Sequence, residues 1–333
     1  MYQKATVLII AEIGSVHDGS LGNALKAIES CAKCGADIVK FQTHIAEAET
    51  LKDAPSPSFF DGESRFEYFK RTSFLFEEWS KVASHCKKNK VTFLSSPFSL
   101  EAVDLLESVD VEAYKIPSGE VTNLPLLEKI TKTKKKVFLS SGMSNWSELD
   151  SAIEILKEGG PLTILQCSSI YPCPPEKVGL NEMVNMGKKY NIPFGFSDHT
   201  TGQSAAISAV ALGCTVIEKH FTFSKLMYGS DAKNSMEPAQ FLEFCSNIKE
   251  ASIIKNNPVD KNNIEEYKEM KLVFQKSIVV NRNMKKGEVI TFSDLSFKKP
   301  FNGISAAEYQ KLIGCTINRD LNIFEKIRWE DLK

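Results

Sequence analysis

The fold this sequence predicts is a (β/α)8 barrel, a TIM barrel of the α/β class, followed by a small β-rich C-terminal domain. Three observations predict it. Eight short apolar runs recur through the first two-thirds of the chain, separated by segments of helical periodicity. Nearly every run closes on residues able to do chemistry, as the strands of such barrels do at their C-terminal ends. The length, 333 residues, accommodates a barrel of roughly 250 residues and a modest extra domain.

The first run, residues 7–15, carries Glu12, and 37–44 carries Lys40 and Gln42. Residues 91–98 end in Ser95 and Ser96, 113–120 in Lys115 and Ser118, and 137–143 in Ser140 and Ser141. Residues 162–169 close on Ser169, with Tyr171 just beyond. The last two runs, 193–200 and 215–222, end in Asp198 and His199 and in Glu218 and His220. Between them, 21–33, 101–108, 146–157 and 202–212 space apolar residues as amphipathic helices do, and a further helix is expected over 238–251. Residues 255–271, with Asn256-Asn257-Pro258 and a run of lysine and glutamate, predict a solvated linker ending in a short helix. From Ser277 the pattern becomes short and turn-punctuated, without βαβ units. The expected division is a barrel over 1–255, a linker over 256–275 and a small mixed β domain over 276–333, too short for a large core. No repeat beyond the βα alternation is apparent.

Formal net charge is −1 and no basic stripe accompanies it, which argues against a nucleic-acid partner. No apolar stretch approaches the ~18 residues of a membrane span. The N-terminus runs straight into the first strand and lacks the layout of a secretory signal. Eight cysteines are spread singly except for Cys31 and Cys34, on a predicted helix with no second ligand pair nearby. Two small buried side chains are the expected role there, not zinc or redox chemistry. Unpaired thiols without a leader point to a reducing, cytoplasmic setting.

Alternation along the eighth strand puts Glu218 and His220 on one face and Lys219 on the other. Neighbouring barrel strands lie about 4.8 Å apart, so His199 and His220 can reach one point above the mouth. Two imidazoles near carboxylates suit a divalent ion such as Mn²⁺ or Zn²⁺ and leave positions open for substrate; the plain alternative is two structural histidines. Lys40 and Lys115 are costly in a barrel mouth unless they meet an anion. A single Ser-Gly pair is most simply a turn. Several such pairs beside two lysines form a cradle for phosphate and carboxylate. Glu12 can bond hydroxyls or move a proton. His17 fits a helix cap or a substrate contact equally, His44 stays similarly open, and His85 reads as an exposed side chain amid lysines.

Taken together these motifs resemble the sialic acid synthase family, the N-acetylneuraminate synthases and their legionaminate and pseudaminate relatives. The strings are Ala11-Glu-Ile-Gly14, His17-Asp-Gly19, Gly35-Ala-Asp-Ile-Val-Lys-Phe-Gln-Thr43 and Ser95-Ser-Pro-Phe98. They continue through Tyr114-Lys-Ile-Pro-Ser-Gly-Glu120, Leu139-Ser-Ser-Gly-Met143, Tyr171-Pro172 and Phe196-Ser-Asp-His-Thr200. Ile217-Glu-Lys-His-Phe-Thr222 and Ser235-Met-Glu-Pro238 complete the barrel. Residues 276–333 resemble the family's antifreeze-like (SAF) domain, in Lys285-Lys-Gly-Glu288 and Lys299-Pro-Phe-Asn-Gly-Ile-Ser305.

The resemblance implies condensation of phosphoenolpyruvate with an N-acylated mannosamine-type sugar to a nine-carbon 2-keto acid, releasing phosphate. It implies that Lys40, Ser96, Lys115, Ser118, Ser140, Ser169 and Tyr171 hold phosphoenolpyruvate, and that His199 and His220 bind Mn²⁺ or Mg²⁺. Glu12, Glu218 and Asp231 would face the sugar and the reacting centre. It also implies a head-to-tail homodimer in which each SAF domain covers the partner's barrel. Three positions depart from the family pattern. Lys299 stands where an arginine reaches the sugar's N-acyl group, and a lysine lacks that planar fork. Ser169 stands where Asn or Thr is common, and Ser230 where Pro is. A 3-deoxy-octulosonate 8-phosphate or heptulosonate synthase shares the barrel and phosphoenolpyruvate but lacks the tail. A non-catalytic sugar-binding scaffold would have no use for the intact charged set. The choice between N-acetylmannosamine and 2,4-diacetamido-2,4,6-trideoxymannose falls to loop residues 56–65 and 228–234.

Overall fold

In a computed structural model, which describes residues 7–55, 63–229 and 231–333, the chain forms two compact units meeting at Pro258 and Val259. The first opens with β1 (Leu8–Gly14), α1 (Leu21–Cys34), β2 (Ile38–Thr43) and three helices, α2 (Ala46–Glu49), α3 (Arg65–Thr72) and α4 (Phe76–Lys88). It continues through β3 (Thr92–Pro97), α5 (Leu100–Ser108), β4 (Ala113–Ile116), α6 (Leu124–Lys132), β5 (Lys136–Ser140) and α7 (Trp146–Leu156). Then come β6 (Leu162–Cys167), α8 (Leu180–Tyr190), β7 (Phe194–Asp198), α9 (Ser204–Ala211), β8 (Val216–His220) and α10 (Pro238–Asn256). The eight strands pair in sequence order, all parallel, and β8 closes on β1.

Local sequence explains the elements. The Ser20 hydroxyl caps α1 by accepting from the Asn23 N–H, and Gly35, at a left-handed φ of 96°, ends it. Between these caps α1 buries Ala24, Ala27, Ile28, Cys31 and Cys34, three and four apart, against the barrel. The two cysteines are thus small packing residues, and all eight thiols in the chain are free. α10 runs five residues beyond the expected end at Ala251, because nothing in 252–256 breaks it and Pro258 is the first residue that must.

The barrel interior is layered. Ile10, Ile38, Leu94, Ala113, Phe138, Leu165 and Val216 form an apolar plug of their own, and Gly195 completes it where a methyl would strike Leu165 and the Val216 carbonyl. Two residues further along each strand, alternation brings the next inward layer: Glu12, Lys40, Ser96, Lys115, Ser140, Cys167, Ser197 and Glu218, all buried. Every apolar position of the plug therefore has a reactive or polar group directly above it.

The second unit, Val259–Lys333, holds α11 (Lys268–Phe274) and an antiparallel pair, β9 (Ser277–Val280) with β10 (Leu295–Lys298). Its core includes Ile278, Met284, Ile290, Leu312, Leu321 and Ile327. The expectation that the chain has no further repeat is corrected here. Arg282, Glu288 and Asp294 recur 37 residues later as Arg319, Glu325 and Asp331, with the same bonds. Arg282 Nε reaches Asp294 at 2.7 Å and Arg319 Nε reaches Asp331 at 2.5 Å; the paired Glu contacts are 2.6 and 2.7 Å. The halves also exchange contacts. Met284 and Leu321 bond each other's backbone, Asn283 Oδ1 accepts from the Ile323 N–H, and Asp320 Oδ1 accepts from the Lys286 N–H.

Candidate active site

The reactive layer is a network of paired charges. Lys115 Nζ lies 2.8 and 2.9 Å from the two oxygens of Glu218, and the Ser197 hydroxyl donates to Glu218 Oε1 at 2.9 Å. Lys40 Nζ lies 2.6 Å from Glu12 Oε2, 3.8 Å from Glu218 Oε1 and 3.5 Å from the Ser96 hydroxyl. Burial opposes the ionised form of Glu218, but the Lys115 and Lys40 ammonium groups outweigh it and hold the carboxyl well below its usual range. Burial likewise works against the charge on Lys40, where Glu12, Glu218 and Asp231 more than restore it. Burial acts most strongly on Lys115 too, and with Lys40 adding to it Glu218 restores only part, so Lys115 stays below its ordinary value.

Beside Lys115 the backbone makes room for hydroxyls. A Cβ on Gly142 would sit 2.5 Å from both Ser118 Oγ and Ser169 Oγ, so glycine lets these two converge from different strand ends. Ser140 is buried at the end of β5, next to this turn. Ser96 and Ser140 thus stand at the ends of β3 and β5, Ser118 and Ser169 just after β4 and β6, and Ser96 lies 3.5 Å from Lys40.

His199 and His220 stand above this layer, ring centroids 5.6 Å apart. Nδ1 of His199 lies 2.8 Å from the Ser168 carbonyl, an acceptor, which fixes the tautomer and leaves Nε2 to accept from the Tyr171 hydroxyl at 3.1 Å. Tyr171 stacks on His199 at 4.0 Å. Burial lowers the affinity of His199 for a proton, yet Cys167, the Ser168 carbonyl and Glu218 carry it net upward. His220 moves the other way: burial, His199 and Lys40 outweigh Asp231 and Glu12. Its Nδ1 is buried and has no hydrogen-bond partner among the described residues. A neutral imidazole with an unsatisfied nitrogen beside a second, tautomer-locked one fits a metal. Among the described residues no group of three or more His, Cys, Asp or Glu is arranged for one, so the rest of a coordination shell would come from substrate and water.

Asp231 reaches the mouth from the loop after β8. Its Oδ2 would lie 2.5 Å from a Cβ on Gly14, a residue at φ 54°, and glycine there is what admits the carboxylate. Lys299 lies in the second unit, exposed, with its ammonium 5.1 Å from the Phe274 ring. Residues 56–62 and Ser230, part of the loops expected to select the sugar, are outside the described residues.

The remaining histidines are settled by packing. His17 is buried, stacks on Phe74 at 4.5 Å and accepts from the Gly19 N–H at 3.2 Å, just before the true cap, Ser20. His85 is not simply exposed, since its Nε2 pairs with Glu29 of α1 at 3.1 Å. Gln42, Ser197, Cys167 and His44 carry parts of the network that sequence reasoning assigned no role. Gln42 at an inward strand end, two residues past Lys40, was the one available signal.

Residues 27–260 match the model of the NeuB family and residues 275–333 that of the SAF domain. The chain is 38% identical to the N,N'-diacetyllegionaminic acid synthase of Campylobacter jejuni serotype O:2, over 96% of this chain and 98% of that protein. It is 31% identical to the pseudaminic acid synthase of Campylobacter jejuni serotype O:23/36, over 98% of this chain and 97% of that one. Among solved structures, the N-acetylneuraminic acid synthetase of Leptospira borgpetersenii superposes with a TM-score of 0.70 at 28% identity, covering 81% of this chain and 96% of that one.

Proposed function

Because the chain belongs to the NeuB family and carries a SAF domain, we propose that it condenses phosphoenolpyruvate with an N-acylated mannosamine-type sugar, giving a nonulosonic acid and phosphate. The observation that carries this is the buried quartet Glu12, Lys40, Lys115 and Glu218 beneath two imidazoles. Two ammonium groups beside four seryl hydroxyls match a substrate bearing a phosphate and a carboxylate. Lys40 and Lys115 receive those anions, with Ser96, Ser118, Ser140, Ser169 and Tyr171 orienting them. C3 of phosphoenolpyruvate attacks the open-chain sugar's aldehyde carbon, water adds at the cationic C2, and the tetrahedral adduct expels phosphate. Glu218, kept ionised by both lysines, guides the water or aldehyde proton; Glu12 and Asp231 face the sugar. A divalent ion, Mn²⁺ or Mg²⁺, held by His199 and His220 supplies Lewis-acid polarisation when bound.

The 38% identity to the Campylobacter jejuni legionaminic acid synthase makes 2,4-diacetamido-2,4,6-trideoxymannose the first sugar to offer, with N-acetylmannosamine and a pseudaminate-type substrate beside it. Purified protein with Mn²⁺ and phosphoenolpyruvate, offered each hexosamine in turn, decides both points. Phosphate release with none of them sinks the assignment.

The second unit is read as a lid on a partner chain's barrel in a head-to-tail dimer. Met270, Leu272, Val273 and Phe274 of α11 are exposed, as expected of a surface that docks elsewhere. A mixed dimer of His220→Ala with a chain disrupted at Lys299–Asn302 should regain turnover at one site. No regain in a verified mixed dimer means the lid serves its own barrel or none. Seven buried free thiols of eight support a reducing, cytoplasmic setting.

A further inference from the structure

We infer that His44, clamped by Glu49, is a positioning residue of this site: it fixes the Gln42 amide, which in turn holds the Glu12 carboxylate. The inference rests on the synthase function proposed above. His44 follows β2 directly and is buried between two phenyl rings, Phe69 of α3 at 3.7 Å and Phe98 at 4.2 Å, both nearly parallel to it. The imidazole cannot tilt without moving one of those rings.

Four groups then form a line. Glu49 Oε1 lies 2.8 Å from His44 Nδ1, His44 Nε2 lies 3.1 Å from Gln42 Oε1, and Gln42 Nε2 donates to Glu12 Oε1 at 2.8 Å. The direction of every bond follows from its far end. An ionised carboxylate only accepts, so Gln42 turns its NH₂ to Glu12 and its oxygen to His44. With Glu49 ionised as well, both His44 nitrogens face acceptors, and the line we infer has both donating. With both carboxylates ionised, no member can reverse without placing two acceptors face to face. One oxygen of Glu12 is thereby pinned, and the other is presented to Lys40 at 2.6 Å.

A packing role alone does not account for this set. Glu49 is buried to 4% side-chain exposure, and burying a carboxylate with an imidazole costs stability that an apolar pair in the same space would not. What the pair delivers is the orientation of one amide, and through it the carboxylate expected to face the sugar. Glu49 comes from a four-residue helix, α2, placed directly after β2, which brings it to His44.

The test uses full-length His44→Ala and Glu49→Gln. Misplacement of a reacting group by about an ångström costs roughly 100-fold in rate. His44→Ala should therefore lose kcat on that order while its KM for phosphoenolpyruvate changes little, and millimolar imidazole should restore part of the rate. Glu49→Gln, which keeps volume and an accepting oxygen, should lose less and decides the matter if His44→Ala does not fold. Unchanged kcat in either folded variant overturns the inference, as does a parallel loss in kcat and phosphoenolpyruvate KM without imidazole rescue. Nitrogen NMR of His44 in the wild-type protein needs no substrate. Two protonated ring nitrogens, with only Nε2 responding to Gln42→Leu, are expected, and an unprotonated Nε2 overturns the bond order. If wild-type protein releases no phosphate with any sugar while that spectrum holds, the synthase assignment fails and the hydrogen-bonded line stands.

Discussion

Strand β8 carries two buried ion pairs on opposite faces, and they are built differently. Outward, Lys219 gives its three donors to three acceptors: Asp198 Oδ2 at 2.9 Å and the carbonyls of Thr200 and Gly202. Inward, Glu218 takes two bonds from Lys115 and one from Ser197. An ammonium has three donors, and among the described residues Lys115 spends its own on a single carboxylate. The saturated pair ties the loop that carries His199 to the barrel, with the Thr200 N–H also bonded to Asp198. The unsaturated pair faces the mouth. Burial alone does not tell the two pairs apart; leftover bonding capacity does.

The largest expected effect tests whether the inward face is built to hold something. EDTA should abolish turnover and Mn²⁺ restore it, and His199→Ala should lose turnover and bound metal together by elemental analysis. Full activity in chelator breaks the metal half of the comparison. On the outward face, Lys219→Ala strands Asp198 in the interior and should cost about 3–5 kcal/mol in urea unfolding followed by circular dichroism. A loss below about 1 kcal/mol would remove its structural role.

His17 sharpens the contrast, being buried with no counter-ion among the described residues. Burial, aided by the nearby His44, lowers its pKa from 6.5 to about 4. The unfolded chain then binds the extra proton first, so stability is full above pH 6.5 and falls as pH drops towards 4, by about 3 kcal/mol. Replacing His17 with glutamine should flatten that stretch of the stability–pH curve; an unchanged slope assigns it to another group. The smallest effect is on affinity. Lys115→Ala and Lys40→Ala each remove a charge-assisted bond of ~1.5–3 kcal/mol, so KM for phosphoenolpyruvate should rise about ten- to a hundredfold. An unchanged KM in both moves the anion cradle elsewhere.

The strands were legible because barrel strands are buried on both faces and appear as continuous apolar runs. Alternation put Glu218 and His220 on one face of β8 with Lys219 on the other, and Lys40 and Lys115 were read from their places near strand ends. Partnership was not legible. Lys115 meets Glu218 across 103 positions, and no local pattern encodes that meeting. His44 stayed open because the rings that trap it come from α3 and from the turn after β3. The repeat in the second unit escaped notice because few residues are shared between its halves, chiefly Asn281-Arg282, Glu288 and Asp294-Leu295 with their later counterparts. What recurs is the hydrogen bonding, not the lettering.

That repeat has a consequence for assembly. Each half supplies the other with the same bond it receives, Asn283 to Ile323 and Asp320 to Lys286, and Met284 meets Leu321 where the halves join. Reciprocity of this kind defines an isologous dimer, in which one patch recognises its own copy. The second unit has the form of such a dimer fused head to tail in one polypeptide. Tethering replaces a concentration-dependent encounter with an intramolecular one, so two halves joined in this way assemble at any dilution.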